Sequence, residues 1–354
     1  MLPGMDLLPV TAPREQLLAA LAEHVYGEAP PAPPITAERT ATGTLKHGTW
    51  ECWCVRVCPG AEPLSVLLCL PRGGPAPCYV GLNFRGNHSL SRADVPVPSG
   101  FGANGPAAAH DRARASADWC IDAITRRGWA LCTAFYGELE PDRAEGPSLS
   151  RTWRGQGLQS GSITAWAWLL SRLADLLVAD PRIDRRRLVA VGHSRLGKTA
   201  LLATARDQRF AMAVANGSGC GGAGAFRDTT PGAETLAQIL KFTHWFHPRL
   251  GPDPLAVPVD MQHLLACIAP RPVLLTNAED DDWADQPGQL RTLHAAAPAW
   301  RALGREAAPP ASLPELGAGP AGRILRYAWR VGPHIMCPAD WASVFATTQA
   351  ELRV

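Results

Sequence analysis

The segment Arg187-Leu-Val-Ala-Val-Gly-His-Ser-Arg-Leu-Gly-Lys-Thr-Ala-Leu201 decides the fold class of this chain. Its beginning, Arg187–Gly192, is a short and mostly apolar run typical of a buried strand, and the residues from His193 onward open a helix. A serine at such a strand-to-helix turn lies in a tight elbow, which exposes its hydroxyl beside a helix N-terminus. The N–H of the next residue and the helix dipole then favour negative charge on a reacting oxygen. The segment therefore predicts that Ser194 is a nucleophile.

The same segment departs in one position from the G-x-S-x-G pattern of such elbows. Gly192 lets the turn close, but Leu196 occupies the place of the second glycine, and glycine follows only at position 197. A Gly-x-Ser before a helix is also a common helix-capping arrangement, so the serine alone does not establish catalysis. Its place between a strand and a helix, and two further residues in a matching chain order, favour the catalytic interpretation.

Those two residues are an acid and a histidine that follow Ser194 in the order expected of an α/β-hydrolase. The predicted strand 273–277 runs into Ala278-Glu-Asp-Asp-Asp-Trp-Ala-Asp285, where five carboxylates in eight residues either supply the acid or form a solvated loop. The last predicted strand is followed by Gly332-Pro-His334. His334 would accept the Ser194 proton as general base and then protonate the leaving alkoxide.

Strand and helix patterns along the rest of the chain support the same fold. Early strand candidates follow one another and later ones alternate with helices, which predicts a doubly wound, mixed and mostly parallel sheet in a three-layer α/β-hydrolase sandwich. We expect a single domain over residues 1–354, on which an arm of residues 1–35 packs, formed by a helix at 14–25 and a Pro-rich run at 29–34. The strand candidates are 50–58, 64–70, 78–84, 129–135, 187–192, 212–216, 273–277 and 324–331, and the other helix candidates are 163–178 and 198–206.

Composition narrows the possible classes of function. The 354 residues are 46% hydrophobic and 19% charged, which excludes wholesale disorder, and 34 basic against 32 acidic side chains give no reason to expect a nucleic-acid or membrane partner. Ten cysteines without a C-x-x-C pair predict neither a disulfide scaffold nor a structural metal. The N-terminal residues lack a signal-peptide pattern, so we expect a cytoplasmic monomer as written, or a secreted or periplasmic protein if a leader has been removed.

The run Gly219-Cys-Gly-Gly-Ala-Gly224 matches the dinucleotide-binding pattern G-x-G-x-x-G literally. That fingerprint belongs between the first strand and the first helix of a βαβ unit, whereas this run lies in the second half of the chain, one strand after the elbow. We interpret it as a chance match, since close backbone approach near an active site would equally require glycines. We expect no cofactor.

The elbow segment Gly192-His-Ser-Arg-Leu-Gly-Lys198 resembles the nucleophile motif of the glucuronoyl esterases, carbohydrate esterase family fifteen, in its bacterial form. Further segments resemble the family in order along nearly the whole chain: Val25–Gly27, Gly81–His88, Ser218–Gly222, His244–Phe246, Ile268–Pro272, Trp283–Asp285 and Asp340-Trp341. The resemblance implies a cofactor-independent serine esterase that cleaves esters between the carboxyl group of glucuronic acid on xylan and alcohols of lignin. The expected partner is a small-molecule or oligosaccharide uronate ester.

The resemblance also implies roles for single residues. It assigns Ser194 as the nucleophile, His334 as the general base, and Arg195 as a guanidinium that helps its own backbone N–H stabilise the oxyanion. Three residues match positions that bind the sugar in the family, namely Lys198 (one of only three lysines in the chain), Trp283 and Glu234.

The acid of the triad differs among the relatives. Many fungal members carry a glutamate just after the strand that follows the nucleophile helix, and the equivalent Asn216-Gly-Ser218 has no carboxylate. Other bacterial members use an aspartate two residues before the tryptophan, which corresponds to Asp281. Because a shift of one residue in the alignment changes the choice, Glu279, Asp280 and Asp282 remain alternatives.

Three functions follow from these residues. The first is a serine esterase that hydrolyses glucuronate esters through an acyl-enzyme. The second is a general carboxylesterase or an acetyl-carbohydrate esterase on the same scaffold, which would need neither Lys198 nor Trp283. The third is a catalytically silent carbohydrate-binding relative, which the intact Ser194, Asp281 and His334 disfavour.

Overall fold

A computed structural model describes residues 5–102 and 105–352 of the chain. Its strands are β1 (Thr36–Leu45), β2 (Gly48–Arg56), β3 (Leu64–Pro71), β4 (Ala76–Asn83), β5 (Phe101–Gly102), β6 (Gly105–Pro106), β7 (Ala130–Phe135), β8 (Ile183–His193), β9 (Phe210–Asn216), β10 (Val273–Ala278), β11 (Ala321–Arg323) and β12 (Leu325–Arg330). Its α-helices are α1 (Arg14–Leu21), α2 (Ser116–Trp119), α3 (Ile121–Arg126), α4 (Leu149–Gly155), α5 (Ser162–Ala179), α6 (Arg195–Arg206), α7 (Leu236–Ile239), α8 (Met261–Ala266), α9 (Gln286–Ala302) and α10 (Pro338–Leu352).

Ten strands form one sheet in the order β1-β2-β3-β7-β4-β8-β9-β10-β12-β11, and β5 pairs with β6 in a separate hairpin. The six strands from β7 to β12 in that order run parallel to one another. The remaining four strands pair antiparallel and lie at the two sides of the sheet. The predicted mixed, mostly parallel sheet is therefore confirmed, and its parallel strands end at one edge, where α/β proteins place their ligand sites.

Two hydrophobic cores cover the two faces of the sheet. Alternate residues of β8 enter different cores, because successive side chains of a strand point to opposite faces. Leu188 and Ala190 join the core formed with α1, α5, α6, α8 and α9. Val189 and Val191 join the core formed with α2, α3 and α10. This arrangement confirms the predicted three-layer sandwich.

All eight predicted strands are present, with ends that differ from the prediction by at most four residues. The predicted helices are present as α5, α6 and α1, which Ala22–Tyr26 continues as a π-helical turn. The strand β1 was not predicted, because its sequence Thr-Ala-Glu-Arg-Thr-Ala-Thr-Gly-Thr-Leu lacks an apolar alternation. It lies at the edge of the sheet and is largely exposed, so its pairing with β2 needs no buried face.

The helix α5 is long and apolar enough to cross a membrane by length and composition alone, but 72% of it is buried inside the protein. It contacts β4, β8 and α6. Its apolar character is that of a helix packed in the core.

The predicted arm is described from residue 5 onward, and its residues 1–4 lie outside the described part. Leu17 and Leu21 of α1 are buried in the core. The Pro-rich run is held to α5, where Trp168 Nε1 donates to the Pro30 carbonyl at 3.2 Å and Arg172 donates to the Pro33 carbonyl at 2.9 Å. The described arm thus packs on the body of the protein.

Candidate active site

The predicted nucleophile elbow joins β8 to α6. Ser194 has a φ of 56°, a conformation that a non-glycine residue keeps only where its surroundings enforce it. A Cβ on Gly192 would lie 1.9 Å from the carbonyl oxygen of Leu196, so the turn requires glycine there. A Cβ on Gly197 would lie 3.1 Å from the Cβ of Ser218. The glycine that follows one position later than the common pattern therefore still permits close approach between α6 and the loop after β9.

His334 and Asp281 form a hydrogen-bonded pair beside this elbow. Nδ1 of His334 lies 2.5 Å from Oδ2 of Asp281, whose side chain is buried, whereas the imidazole is 39% exposed. Because Asp281 accepts the hydrogen bond from Nδ1, Nε2 of the imidazole is left to accept a proton. Ser194 and His334 line the same two cavities.

The carboxylates of the acidic loop after β10 differ in burial and in their contacts. Three of them are exposed to solvent: Glu279, Asp280 and Asp282. Asp285 caps α9, where it accepts a hydrogen bond from the N–H of Gly288 at 2.8 Å. Asp281 is 6% exposed and contacts His334. Of the four alternatives that the sequence left open, Asp281 is the one that the structure brings to the histidine.

The backbone of Gly217 lies against this pair. Gly217 has a φ of +51°, and a Cβ there would lie 2.9 Å from Cε1 of His334 and 3.2 Å from Oδ2 of Asp281. A side chain at this position would occupy the space of the pair. The carboxylate beside His334 thus comes from the loop after β10, and position 217 has no room for a side chain.

Arg195 is placed to bind a negatively charged oxygen. It is the first residue of α6, and the first N–H groups of a helix have no intrahelical acceptor, so its N–H is available beside Ser194. Its guanidinium lines both cavities, forms an ion pair with Asp142, and lies 4.8 Å from the centre of the Trp245 ring. Donors in this arrangement stabilise an oxyanion.

Lys198 is buried, and the glycine-rich loop encloses it. Its Nζ donates to the carbonyls of Ser218 at 2.5 Å and Cys220 at 2.6 Å, and lies 4.0 Å from Oε2 of Glu234. A Cβ on Gly222 would lie 2.9 Å from the Lys198 side chain, so the literal G-x-G-x-x-G match reflects close packing around a lysine. Burial lowers the pKa of Lys198, although the charge of Glu234 acts to raise it. Burial also raises the pKa of Glu234.

A cavity of about 220 Å³ brings together every predicted site residue. The seven predicted residues in its lining are Ser194, Arg195, Lys198, Glu234, Asp281, Trp283 and His334. Trp283 is 50% exposed and offers an apolar ring face beside these polar groups. Phe242 and Trp245 also line it and stack on each other at 4.0 Å, which sequence reasoning did not anticipate.

A second cavity of about 290 Å³ meets the first at Ser194, Arg195 and His334. Much of its wall is apolar, and the apolar residues are Leu82, Phe84, Ala115, Trp119, Ile335 and Met336. Arg85 and Asp118 add polar groups. The nucleophile elbow therefore opens to one space rich in charged groups and to another that is largely apolar.

Sequence reasoning also missed the surroundings of His193. Its ring lies 4.4 Å from that of His334, and its Nδ1 lies 2.5 Å from Oδ1 of Asn216. The amide of Asn216 donates to Asp340 at 2.9 Å, so its oxygen accepts and Nδ1 of His193 carries the proton. Burial and the neighbouring His334 lower the pKa of His193 to about 3, so its ring is neutral. Only the tertiary structure reveals these contacts of His193.

Within residues 5–102 and 105–352, no group of three or more His, Cys, Asp or Glu side chains is arranged to hold a metal ion.

Known proteins resemble the chain in sequence and in structure. The family model "Glucuronyl esterase, fungi" matches residues 153–304. The carbohydrate esterase MZ0003 of an unknown prokaryotic organism is 33% identical over 304 residues, which cover 79% of this chain and 69% of that protein. The solved glucuronoyl esterase from Solibacter usitatus has a TM-score of 0.88 at 29% identity and covers 99% of this chain and 98% of its own.

The chain belongs to the glucuronoyl esterase family, carbohydrate esterase family 15. Another solved family 15 structure, a promiscuous esterase from a marine bacterial metagenome, has a TM-score of 0.89 at 25% identity and covers 99% of this chain and 98% of its own. The 4-O-methyl-glucuronoyl methylesterase 1 of Sodiomyces alcalophilus is 32% identical over 161 residues, and the match spans 42% of this chain and 32% of that protein's length. Membership in the glucuronoyl esterase family confirms the predicted α/β-hydrolase fold and the predicted class of carboxylic ester hydrolase.

Proposed function

We propose that the chain hydrolyses esters of the glucuronic acid carboxyl group through an acyl-enzyme. The observation that supports this most directly is the composition of the polar cavity. Ser194 and the His334–Asp281 pair share its wall with the three predicted sugar-binding residues, Lys198, Glu234 and Trp283. A buried ammonium group near a carboxylate, beside an exposed indole, suits a ring that carries several hydroxyls. An esterase for small acyl groups would need none of these three residues.

The proposed reaction begins when His334 accepts the proton of Ser194 and the serine oxygen attacks the C6 carbonyl carbon of the uronate. The negative charge that develops on the carbonyl oxygen is stabilised by the backbone N–H and the guanidinium of Arg195. Asp281 holds the imidazole in the required tautomer and stabilises the imidazolium. His334 then protonates the leaving alcohol. A water molecule, activated by the same imidazole, releases the uronic acid and restores Ser194.

We further propose that the leaving alcohol occupies the second, largely apolar cavity. The two cavities meet at Ser194, so an ester bound with its sugar in one would direct its alcohol toward the other. Apolar side chains favour a bulky or aromatic alcohol over methanol, because burial of apolar surface stabilises the complex. The same cavity favours general carboxylesterase activity as the second candidate function, since it would bind apolar alcohols whatever acid they esterify.

The decisive experiment measures acid release from benzyl glucuronate, methyl glucuronate and para-nitrophenyl acetate by the wild type and Ser194→Ala. We expect the glucuronate esters to be cleaved with a far higher kcat/KM than the acetate, the benzyl ester better than the methyl ester, and Ser194→Ala to be inactive. Cleavage of the acetate alone would replace this proposal with general carboxylesterase activity. Cleavage of none of the three would favour a silent carbohydrate-binding relative, and binding of uronate oligosaccharides would then be measured.

The remaining expectations about the whole protein are part of the same proposal. We propose that residues 1–354 form one catalytic domain that acts as a monomer. Action on polymeric glucuronoxylan would require export, because that polymer is extracellular, so this substrate favours the secreted or periplasmic alternative. A cytoplasmic protein would instead process imported, already shortened uronate esters.

A further inference from the structure

The guanidinium of Arg195 pairs with a carboxylate and also lines both cavities. Its Nη1 forms an ion pair with Oδ2 of Asp142, and its plane lies near the rings of Trp245 at 4.8 Å and Phe84 at 5.7 Å. Its Nε is buried and has no hydrogen-bond partner among the residues that the structure describes. A guanidinium has five N–H donors in a rigid fork, so anchoring one nitrogen between two ring contacts restricts the directions of the other donors.

Asp142 is itself held rigidly. Its side chain is 3% exposed, and Oδ1 accepts hydrogen bonds from Nε2 of His244 at 2.9 Å and from Nε1 of Trp245 at 2.8 Å. The hydroxyl of Tyr136 donates to Oδ2 at 3.1 Å. Burial alone would raise the pKa of Asp142, but the hydrogen bond from His244 and the charge of Arg195 outweigh it and lower the pKa to about 2. The carboxylate is therefore ionised near neutral pH.

The loop that carries Asp142 lies where such a contact can act on the site. Asp142 follows β7, one of the parallel strands, and these strands end at the edge of the sheet that contains the nucleophile elbow. It is 53 residues from Arg195 in the chain, and no motif in Glu138-Leu-Glu-Pro-Asp142 marks it as functional. The ion pair thus joins the loop after β7 to the start of α6 at the candidate active site, and Asp142 is not among the seven residues that the sequence predicted.

We infer that Asp142 is a positioning residue for the oxyanion site: its carboxylate holds Arg195 so that the free donors of the guanidinium face the oxygen of the tetrahedral intermediate. This inference rests on the proposed esterase function. The negative charge of Asp142 also opposes the field of Arg195 at the oxyanion. The two effects have opposite signs in kcat, which makes the inference testable.

The test is a double-mutant cycle of Asp142→Asn and Arg195→Gln with benzyl glucuronate. Removal of one oxyanion donor costs about 10²- to 10³-fold in kcat, so we expect a misdirected donor in Asp142→Asn to cost about 10- to 100-fold. KM should change less than about threefold, because the interaction forms only in the transition state. In the Arg195→Gln background, Asp142→Asn should change kcat by no more than about twofold, because there is no guanidinium left to direct.

Two outcomes would overturn the inference. An equal loss from Asp142→Asn with and without Arg195 would show that Asp142 acts on general stability. An unchanged or higher kcat in Asp142→Asn would show that the lost negative charge outweighs the lost orientation. Asp142→Glu, which keeps the charge and displaces the carboxylate, is taken through the same cycle if Asp142→Asn does not fold.

A matched control comes from another ion pair of this chain. Glu351 pairs with Arg326 at 2.7 Å near the start of β12, at the opposite end of the parallel strands from the elbow. Glu351→Gln should leave kcat unchanged even if it lowers the melting temperature. The cycle is also run with para-nitrophenyl acetate, since every ester hydrolysis forms an oxyanion. If the protein cleaves the acetate but not the glucuronate, the proposed substrate is wrong, but the cycle with the acetate still tests the role of Asp142. Absence of coupling between Asp142→Asn and Arg195→Gln in that cycle would then overturn this inference as well.

Discussion

Substitution of Gly217 by alanine should damage catalysis far more than stability. The new Cβ would lie 2.9 Å from Cε1 and 3.0 Å from Nδ1 of His334, whereas ordinary contacts begin near 3.4 Å. The imidazole must therefore retreat by about 0.5 Å, and because it is 39% exposed it has room to do so. Since a displacement of about 1 Å at a reacting group can cost about 10²-fold, we expect a loss of about 10- to 100-fold in kcat.

The cost in stability is a separate quantity with its own control. Gly217 has a φ of +51°, and an L-residue in the left-handed region costs roughly 1–2 kcal/mol. Gly304 has a φ of +71°, and a Cβ added there would meet nothing within 4 Å, so Gly304→Ala carries the backbone strain without the steric contact. Both variants should lose a similar amount of unfolding free energy in urea titrations.

The assay is hydrolysis of benzyl glucuronate, with kcat and KM measured for the wild type and both variants. We expect Gly304→Ala to retain the wild-type kcat and Gly217→Ala to lose it. If Gly217→Ala stayed within threefold of the wild-type kcat while folding normally, the position of His334 against Asp281 would not matter for turnover, and the triad reasoning would be refuted.

Further predictions concern single side chains of the site. Asp281→Asn should lower kcat about 10³- to 10⁴-fold, because the imidazole of His334 would no longer be held in the required tautomer. Asp280→Asn, at an exposed position, should change kcat less than about twofold. Equal losses in the two variants would contradict the choice of Asp281 as the acid of the triad. Lys198→Met should lower kcat/KM for benzyl glucuronate about 10- to 100-fold, the range for a hydrogen bond to a charged group, and leave para-nitrophenyl acetate cleavage nearly unchanged. His193 should make stability pH-dependent: its folded pKa is about 3, below the ordinary value of 6.5, so the unfolded chain binds more protons between these values and stability falls as pH decreases through that window. His193→Phe should flatten the slope of unfolding free energy between about pH 4 and pH 6, and an unchanged slope would contradict the neutral state of the His193 ring.

The sequence was sufficient for those features that depend on neighbours along the chain. The elbow at Ser194 is local, because Gly192 and the start of α6 lie within a few residues of it. The apolar runs that became the parallel strands are buried on both faces, so composition alone marked them. The sequence did not predict the edge strand β1, because an exposed strand needs no apolar pattern and only a partner for its backbone.

Contacts between distant segments required the tertiary structure. Glu279, Asp280, Asp281 and Asp282 are chemically alike and adjacent, and only the path of the loop after β10 decides which carboxylate turns inward to His334. The Asp142–Arg195 ion pair joins the loop after β7 to the start of α6, a proximity that no local pattern encodes. By itself, then, the sequence determined the fold class, the serine elbow and the chain order of its partners, because these depend on short-range periodicity and turn chemistry. Only the tertiary structure decided which acid meets the histidine and which carboxylate pairs with Arg195, because both depend on the direction of side chains brought together by the packing of the sheet.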